Sequence, residues 1–81
     1  MKIIDAHCHV YPTAIAAKAV DNIGHFYDIN MYGAGTAEDL LKTGSNAGVT
    51  QYLIFSVATT PRQTNSINEF IAQTMRENPQ M

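Results

Sequence analysis

The stretch that decides the fold is Ile3-Ile4-Asp5-Ala6-His7-Cys8-His9, near the start of the chain. An apolar run that becomes polar and delivers two histidines is typical of a buried strand with a metal site at its C-terminal end. Because side chains alternate along a strand, Asp5, His7 and His9 should share one face, and Cys8 should face the other way. The two imidazoles should lie roughly 6 to 7 Å apart along the strand, close enough to bind one ion.

The competing interpretation is that His7 and His9 are ordinary polar residues at a strand end, since a bare His-x-His triplet is weak evidence. The context favours a metal site. The pair follows an apolar strand directly and precedes Val10-Tyr11-Pro12, where the proline disfavours helix at Tyr11 and allows it afterwards.

The segment Ile4-Asp5-Ala6-His7-Cys8-His9-Val10-Tyr11-Pro12 resembles the first strand of the amidohydrolase superfamily, in particular its amidohydrolase-2 branch of metal-dependent hydrolases and decarboxylases. Members of this family are TIM barrels in which Asp-x-His-x-His ends strand one. The resemblance implies that His7 and His9 bind a divalent metal ion and that Asp5 supports them. Zinc is the first expectation and manganese the alternative.

The resemblance extends along the chain through segments that belong to the scaffold: Ala47-Gly48-Val49, Ser56-Val57-Ala58-Thr59 and Ser66-Ile67-Asn68-Glu69-Phe70. The family's later ligands, on further strands, and its catalytic aspartate, on the last strand, have no counterpart here. The resemblance therefore implies that the catalytic residues lie downstream of Met81, and that residues 1–81 are the N-terminal portion of such an enzyme.

Length and composition restrict the function classes. A chain of 81 residues forms at most one domain, and 46% apolar with 15% charged residues excludes a disordered chain. The net charge of −2 and scattered basic residues predict neither a nucleic-acid nor an anionic-membrane partner. The single cysteine fits a reducing compartment, and no stretch reads as a transmembrane helix or signal peptide. We expect a cytoplasmic protein.

The first half of the chain after the strand predicts one helix and a loop. Thr13 can cap a helix from about Ala14 to Ile23, with Gly24 as its terminator. Residues 25–35 have no clean period and read as a loop containing Phe26 and Tyr27. These aromatic residues could contact substrate, but we favour a packed connection in which they fill a local gap. His25 is a weaker ligand candidate than the His7 and His9 pair.

The second half predicts helix, strand and helix. Thr36 caps a helix with acidic residues in its first turn, a buried side formed by Ala37, Leu40, Leu41 and Ala47, and an end at Gly48. Gly44 is unfavourable inside this helix. The apolar run 51–57 is typical of a parallel strand covered on both faces. The segment Thr60-Pro61-Arg62-Gln63 starts a last helix that buries Ile67, Phe70, Ile71 and Met75 and stops near Asn78, and Gln80-Met81 would begin the next connection or strand.

This alternation predicts an α/β fold with parallel strands and helices on one side, equivalent to about two to three βα units of a (β/α)8 TIM barrel. Two functions compete. The first is the N-terminal part of a metal-dependent hydrolase or decarboxylase that acts on a small molecule, with the isolated chain inactive. The second is a small non-catalytic α/β module that binds metal or a partner. Because an isolated two-stranded unit exposes an apolar face and two edges, we expect it to self-associate or to bind the missing remainder.

Overall fold

The computed structural model describes residues 1–58 and 60–81. Its elements follow in the predicted order: β1 (Ile4–His9), α1 (Thr13–Tyr27), α2 (Ala37–Asn46), β2 (Gln51–Phe55), a 3₁₀ turn (Pro61–Gln63) and α3 (Thr64–Glu77). The two strands are parallel neighbours in one sheet. The predicted α/β class is therefore confirmed, while Thr59 of the scaffold match lies outside the described residues. No helix in the described part of the chain has the length and apolarity needed to cross a membrane.

The core lies on the face of the sheet that α2 and α3 cover. Its buried members are Cys8, Val10, Tyr52 and Ile54. The partly buried residues packed against them come mostly from α2, α3 and the chain's last turn: Ala37, Leu40, Leu41, Val49, Phe70, Ile71 and Met81. The helical stripes predicted from apolar spacing are confirmed by this packing, with two exceptions: Ala47 is exposed, and in α3 the buried residue is Thr74 where Met75 was expected.

The opposite face of the sheet is bare. Ile4 is 58% exposed and Leu53 56% exposed, whereas Tyr52 and Ile54 on the same strand as Leu53 are buried. The expectation that β2 is covered on both faces is thus wrong for these residues, because helices pack on one side only. The separate expectation that a two-stranded unit exposes an apolar face is confirmed.

The register of β1 is irregular just before the histidines. Asp5 lies opposite Tyr52 and Cys8 opposite Ile54, so three steps along β1 match two steps along β2. An extra residue of this kind reverses the alternation of side chains beyond it. Asp5 is therefore out of phase with His7 and His9, which corrects the prediction that the three share one face.

Helix α1 is longer than predicted at its C-terminal end. Gly24 is an interior residue, and the helix ends at Tyr27 with Asp28 as its C-cap, whose amide donates to the carbonyls of Gly24 and His25. The left-handed backbone of Asp28 (φ 52°) then turns the chain so that the Ile29 amide donates to the Gly24 carbonyl at 3.0 Å. A Cβ on Gly24 would lie 3.0 Å from Met31 Cγ and 3.2 Å from the Ile29 carbonyl. This glycine therefore permits the following segment to fold back against the helix, which is a packing requirement that local sequence does not reveal.

Helices α1 and α3 both begin differently from the prediction. Pro12 precedes α1 and makes no side-chain cap, so Thr13 is the first helical residue. Pro61 opens a 3₁₀ turn, Thr60 makes no side-chain cap bond, and α3 itself starts at Thr64. In both places proline's fixed φ starts the turn without help from a capping hydroxyl.

The aromatic pair at the end of α1 is exposed. Phe26 is 81% and Tyr27 65% exposed, and their rings meet edge to face with centroids 4.9 Å apart. The favoured interpretation of a packed connection is wrong for these two side chains, because α1 continues through them and carries them out of the interior.

Helix α2 begins as predicted and contains a close contact with the sheet. The Thr36 hydroxyl accepts a hydrogen bond from the Asp39 amide at 3.1 Å, and Glu38 and Asp39 occupy the first turn. Gly44 lies against the ring of buried Tyr52: an added Cβ would overlap the Tyr52 hydroxyl and come within 2.7 Å of two ring carbons. Glycine at position 44 lowers the helix propensity of α2, but the absence of a side chain leaves room for the buried ring of Tyr52.

A further backbone hydrogen bond lies on the edge of β2 that β1 does not use. The Tyr52 amide donates to the Gln80 carbonyl at 2.8 Å, and Met81 packs against the core cluster. Residues 80–81 thus lie beside β2 on its second edge, as the start of a neighbouring strand would.

Substituting Gly44→Ala should destabilise the chain by about 1 to 3 kcal/mol, because the new methyl group overpacks a buried ring. Helix propensity alone predicts the opposite sign, a gain of about 1 kcal/mol. Urea unfolding followed by circular dichroism measures the difference, with exposed Ser45→Ala on the same helix as the control. Combining Gly44→Ala with Tyr52→Phe should recover part of the loss. A Gly44→Ala chain as stable as the parent would contradict the packing argument.

The bare face should make the chain self-associate, since exposed apolar area and unpaired strand edges favour pairing in water. Light scattering over a concentration series should show a rising mean mass. Leu53→Glu, in the middle of the bare face, should shift the association to higher concentration. Ala72→Glu places the same charge on the exposed surface of α3 and should not. A strictly monomeric parent chain at every concentration would refute this prediction.

Candidate metal centre

The two histidines of β1 converge at its C-terminal end. The Nε2 atoms of His7 and His9 are 3.1 Å apart, and the ring centroids are separated by 5.0 Å. Both side chains are exposed, so an ion or a ligand can reach them. The prediction that the two rings point the same way is confirmed, and their ring nitrogens lie much closer together than the spacing along the strand.

Phe55 holds both imidazole rings from β2. It lies opposite His9 in the parallel register, and its ring meets His7 and His9 edge-on with centroid distances of 5.0 and 5.2 Å. Such edge contacts restrict ring orientation and contribute about 0.5 to 1.5 kcal/mol each. From the sequence alone, Phe55 is predicted only as part of the apolar run 51–57. Its position at the polar end of this strand was the signal that could have linked it to the histidines.

The histidine separation suits a shared metal ion. Two nitrogens bound to one zinc at about 2.0 to 2.1 Å with a tetrahedral angle lie about 3.3 Å apart, close to the observed 3.1 Å. The same distance also fits a hydrogen bond between two neutral rings of complementary tautomers. The separation of the two nitrogens therefore fits two adjacent coordination positions of one ion.

Asp5 supports the pair through the backbone. Its Oδ1 accepts a hydrogen bond from the His7 amide at 3.2 Å, across the register irregularity. This bond provides an acceptor for the His7 amide, which the irregular pairing between β1 and β2 leaves available. Asp5 thus stabilises the backbone that carries His7, and its carboxylate is engaged with that amide.

The other titratable side chains lie apart from the pair. His25 belongs to α1, where its Nε2 is 3.7 Å from the Asp21 carboxylate and both side chains are exposed. Within residues 1–58 and 60–81, no three His, Cys, Asp or Glu side chains come together in a cluster able to hold an ion. The candidate centre therefore brings two possible ligands together.

Cys8 lies between the two histidines in sequence but on the core side of the sheet. It is 4% exposed, and its thiol donates to the Asp5 carbonyl with an Sγ–O distance of 3.6 Å. Burial, reinforced by the neighbouring Asp5, raises the pKa of the Cys8 thiol to about 11. The prediction that Cys8 faces away from the two histidines is confirmed.

Two hydroxyl groups near the strand ends are buried and have no hydrogen-bond partner in the described part of the chain: Tyr11 and Ser56. Tyr11 is 6% exposed, and burial raises the pKa of its phenol. Its backbone amide, in contrast, donates to the Gly35 carbonyl at 2.8 Å and ties the residue after the site to the segment before α2.

Two cavities flank the segment between α1 and α2. One, of about 490 Å³, includes His9 in its wall and extends between α1 and α2. The other is larger, about 630 Å³, and is lined by Asp21, His25 and Asp28, with neither histidine of the pair. The smaller cavity is therefore the one that adjoins the candidate metal centre.

Comparison with known proteins adds no further constraint. A scan against protein-family models matches no family, and searches of curated proteins and of solved structures give no significant match.

The Cys8 thiol should react slowly in the folded chain, because only the thiolate is nucleophilic and a pKa of about 11 leaves little thiolate at pH 8. Iodoacetamide labelling followed by mass spectrometry should proceed at least about a hundredfold faster in 8 M urea than in buffer. The raised pKa also means that the thiol's contribution to stability is complete below pH 9 and is lost between about pH 9 and 11. Equal labelling rates in the two states would contradict the buried position.

Proposed function

We propose that this chain is the N-terminal part of a metal-dependent, amidohydrolase-like enzyme in which His7 and His9 hold a divalent ion, zinc before manganese. The observation that carries the proposal is the 3.1 Å separation of the two Nε2 atoms at the C-terminal end of a parallel strand. Active sites of (β/α)8 barrels lie at that end of their strands. The sequence resemblance to the amidohydrolase-2 branch points in the same direction.

The proposal of a larger barrel draws support from the unfinished sheet. Its bare face carries exposed Ile4 and Leu53, which in a closed barrel would point into a packed interior. The hydrogen bond from the Tyr52 amide to the Gln80 carbonyl occupies the second edge of β2, where a third parallel strand would lie. Residues 1–81 would then supply the first two βα units and the beginning of a third.

In this enzyme each group of the chain has a defined task. His7 and His9 bind the ion through their ring nitrogens, Phe55 restricts the orientation of the rings, and Asp5 fixes the His7 backbone. A bound divalent ion supplies the Lewis acidity that hydrolysis or decarboxylation of a small molecule requires. Further ligands and a general base would come from later strands, since a catalytic zinc usually has three protein ligands. The chain by itself would then bind metal without turnover.

A second candidate is a non-catalytic module that binds metal or a partner. The observation that favours it is the ligand count, because the described residues bring only two ligands together. Such a module would keep its ion after self-association through the bare face, with ligands shared between copies. Both candidates place the ion on the same two histidines.

Zinc should bind the chain at neutral pH through His7 and His9. Titration followed by ¹H–¹³C NMR of the imidazoles should move the signals of these two rings and leave those of His25 in place. The His7→Ala/His9→Ala double variant should lose affinity by more than about tenfold, because it lacks both nitrogen ligands, whereas the matched His25→Ala variant should bind like the parent.

Equal zinc affinity for the parent and the double variant would remove the metal assignment. A restored reaction would separate the two candidates: metal-dependent hydrolysis or decarboxylation that appears when the downstream remainder of the reading frame is added supports the enzyme. A ligand shell completed by a second copy, with no turnover, supports the module.

A further inference from the structure

The cavity beside His9 has the size and shape of a ligand site. Its volume of about 490 Å³ falls within the range of about 300 to 1,000 Å³ typical of small-molecule pockets. It lies between the second half of α1, the segment that precedes α2, and the first half of α2. Because His9 forms part of its wall, a molecule held there lies next to the His7–His9 pair.

The wall of the cavity is largely apolar. Seven of its side chains are aliphatic, phenolic or thioether groups: Tyr11, Val20, Ile23, Tyr27, Met31, Leu40 and Val57. Several of them are at least 40% exposed, including Tyr27 and Met31. Removing accessible apolar groups from water lowers the free energy, so these side chains favour the binding of an apolar ligand in a concave site.

The polar residues of the wall restrict the charge of the ligand. Asp39 contributes a carboxylate, and among the described lining residues no Lys or Arg accompanies it. Its Oδ2 accepts a hydrogen bond from the Ala34 amide at 2.9 Å, which keeps the carboxylate at the cavity. In the metal-free chain, a negative charge in a partly apolar site without a cationic partner disfavours an anionic ligand.

The wall is also preformed. Gly35 has φ +80° and lies so close to α1 that an added Cβ would come within 2.7 Å of Val20 Cγ2. Its carbonyl accepts the Tyr11 amide, and Asp39 holds Ala34, so the segment before α2 is tied down on both sides. Preformed walls lower the entropic cost of binding.

We propose that this cavity binds a small, uncharged and largely apolar molecule, with its polar group directed toward His9. Taken with the proposed function, on which this step rests, the substrate is a neutral amide, ester or lactone. Hydrolysis of such a molecule consumes one water and breaks the acyl C–N or C–O bond, giving a carboxylic acid and an amine or alcohol.

Two fluorescent probes with one skeleton test the pocket without metal. N-phenyl-1-naphthylamine is neutral, and 8-anilinonaphthalene-1-sulfonate adds a negative charge to the same rings. In EDTA, titration of the full chain should give at least about tenfold tighter binding of the neutral probe. Asp39→Asn keeps a hydrogen-bond acceptor for Ala34 and should tighten the anionic probe severalfold while leaving the neutral one unchanged.

Substitutions in the wall locate the bound probe. Tyr27→Ala and Met31→Ala should each weaken the neutral probe by about three- to tenfold, because each removes apolar contact. Tyr32→Ala is the matched control, since this exposed tyrosine lies outside the cavity wall. Circular dichroism checks that each variant keeps its fold, and the Asp39→Asn result stands whether or not the truncations fold.

Two outcomes would overturn the pocket. Neutral and anionic probes of equal affinity would refute the charge argument. If the affinity for the neutral probe is unchanged in Tyr27→Ala and Met31→Ala but falls in Leu53→Ser, the probe binds to the bare sheet face. The zinc titration is independent of both probe tests. A chain that binds the probe but not zinc would refute the proposed function. A chain that binds zinc but not the probe would refute the pocket alone.

Discussion

The parallel pairing of β1 with β2 is the constraint on which the rest of the structure depends. It sets Cys8 opposite Ile54 and His9 opposite Phe55. The first pair faces the helices and joins the core, and the second lies at the exposed end of the strands. One register therefore determines both where apolar area is buried and where the two imidazoles meet. A shift of one residue would exchange the two sets of side chains.

The irregularity between Asp5 and Cys8 connects stability to chemistry. Without the extra residue, strict alternation would place the Asp5 carboxylate beside the histidines. With it, Asp5 lies level with buried Tyr52 and uses Oδ1 to accept the His7 amide. Irregular ladders of this kind often adjoin functional sites, because they re-aim a side chain at small cost. Here the irregularity adjoins a pair of ring nitrogens 3.1 Å apart, which an aromatic ring of β2 contacts.

The same arrangement leaves the chain incomplete as a packed unit. Helices cover one face of the sheet, while Ile4 and Leu53 remain exposed on the other. Small domains bury a limited share of their surface, so an uncovered sheet face is a substantial loss. The proposed barrel and self-association are two ways of covering it. The wall of the cavity beside His9 contains neither Ile4 nor Leu53; it comes mainly from α1, α2 and their connection, with His9, Tyr11 and Val57.

The sequence by itself determined the order of helices and strands, most of the helical stripes of α2 and α3, the Thr36 cap and the shared direction of the His7 and His9 rings, because these follow from local periodicity and capping chemistry. Tertiary structure decided the remainder. The need for glycine at position 24 depends on Met31 packing close to α1, and the need for glycine at position 44 depends on the ring of Tyr52. The phase of Asp5 and the edge contacts of Phe55 depend on pairing with a strand more than 40 residues away. Such contacts join residues distant in sequence, and no local pattern specifies them.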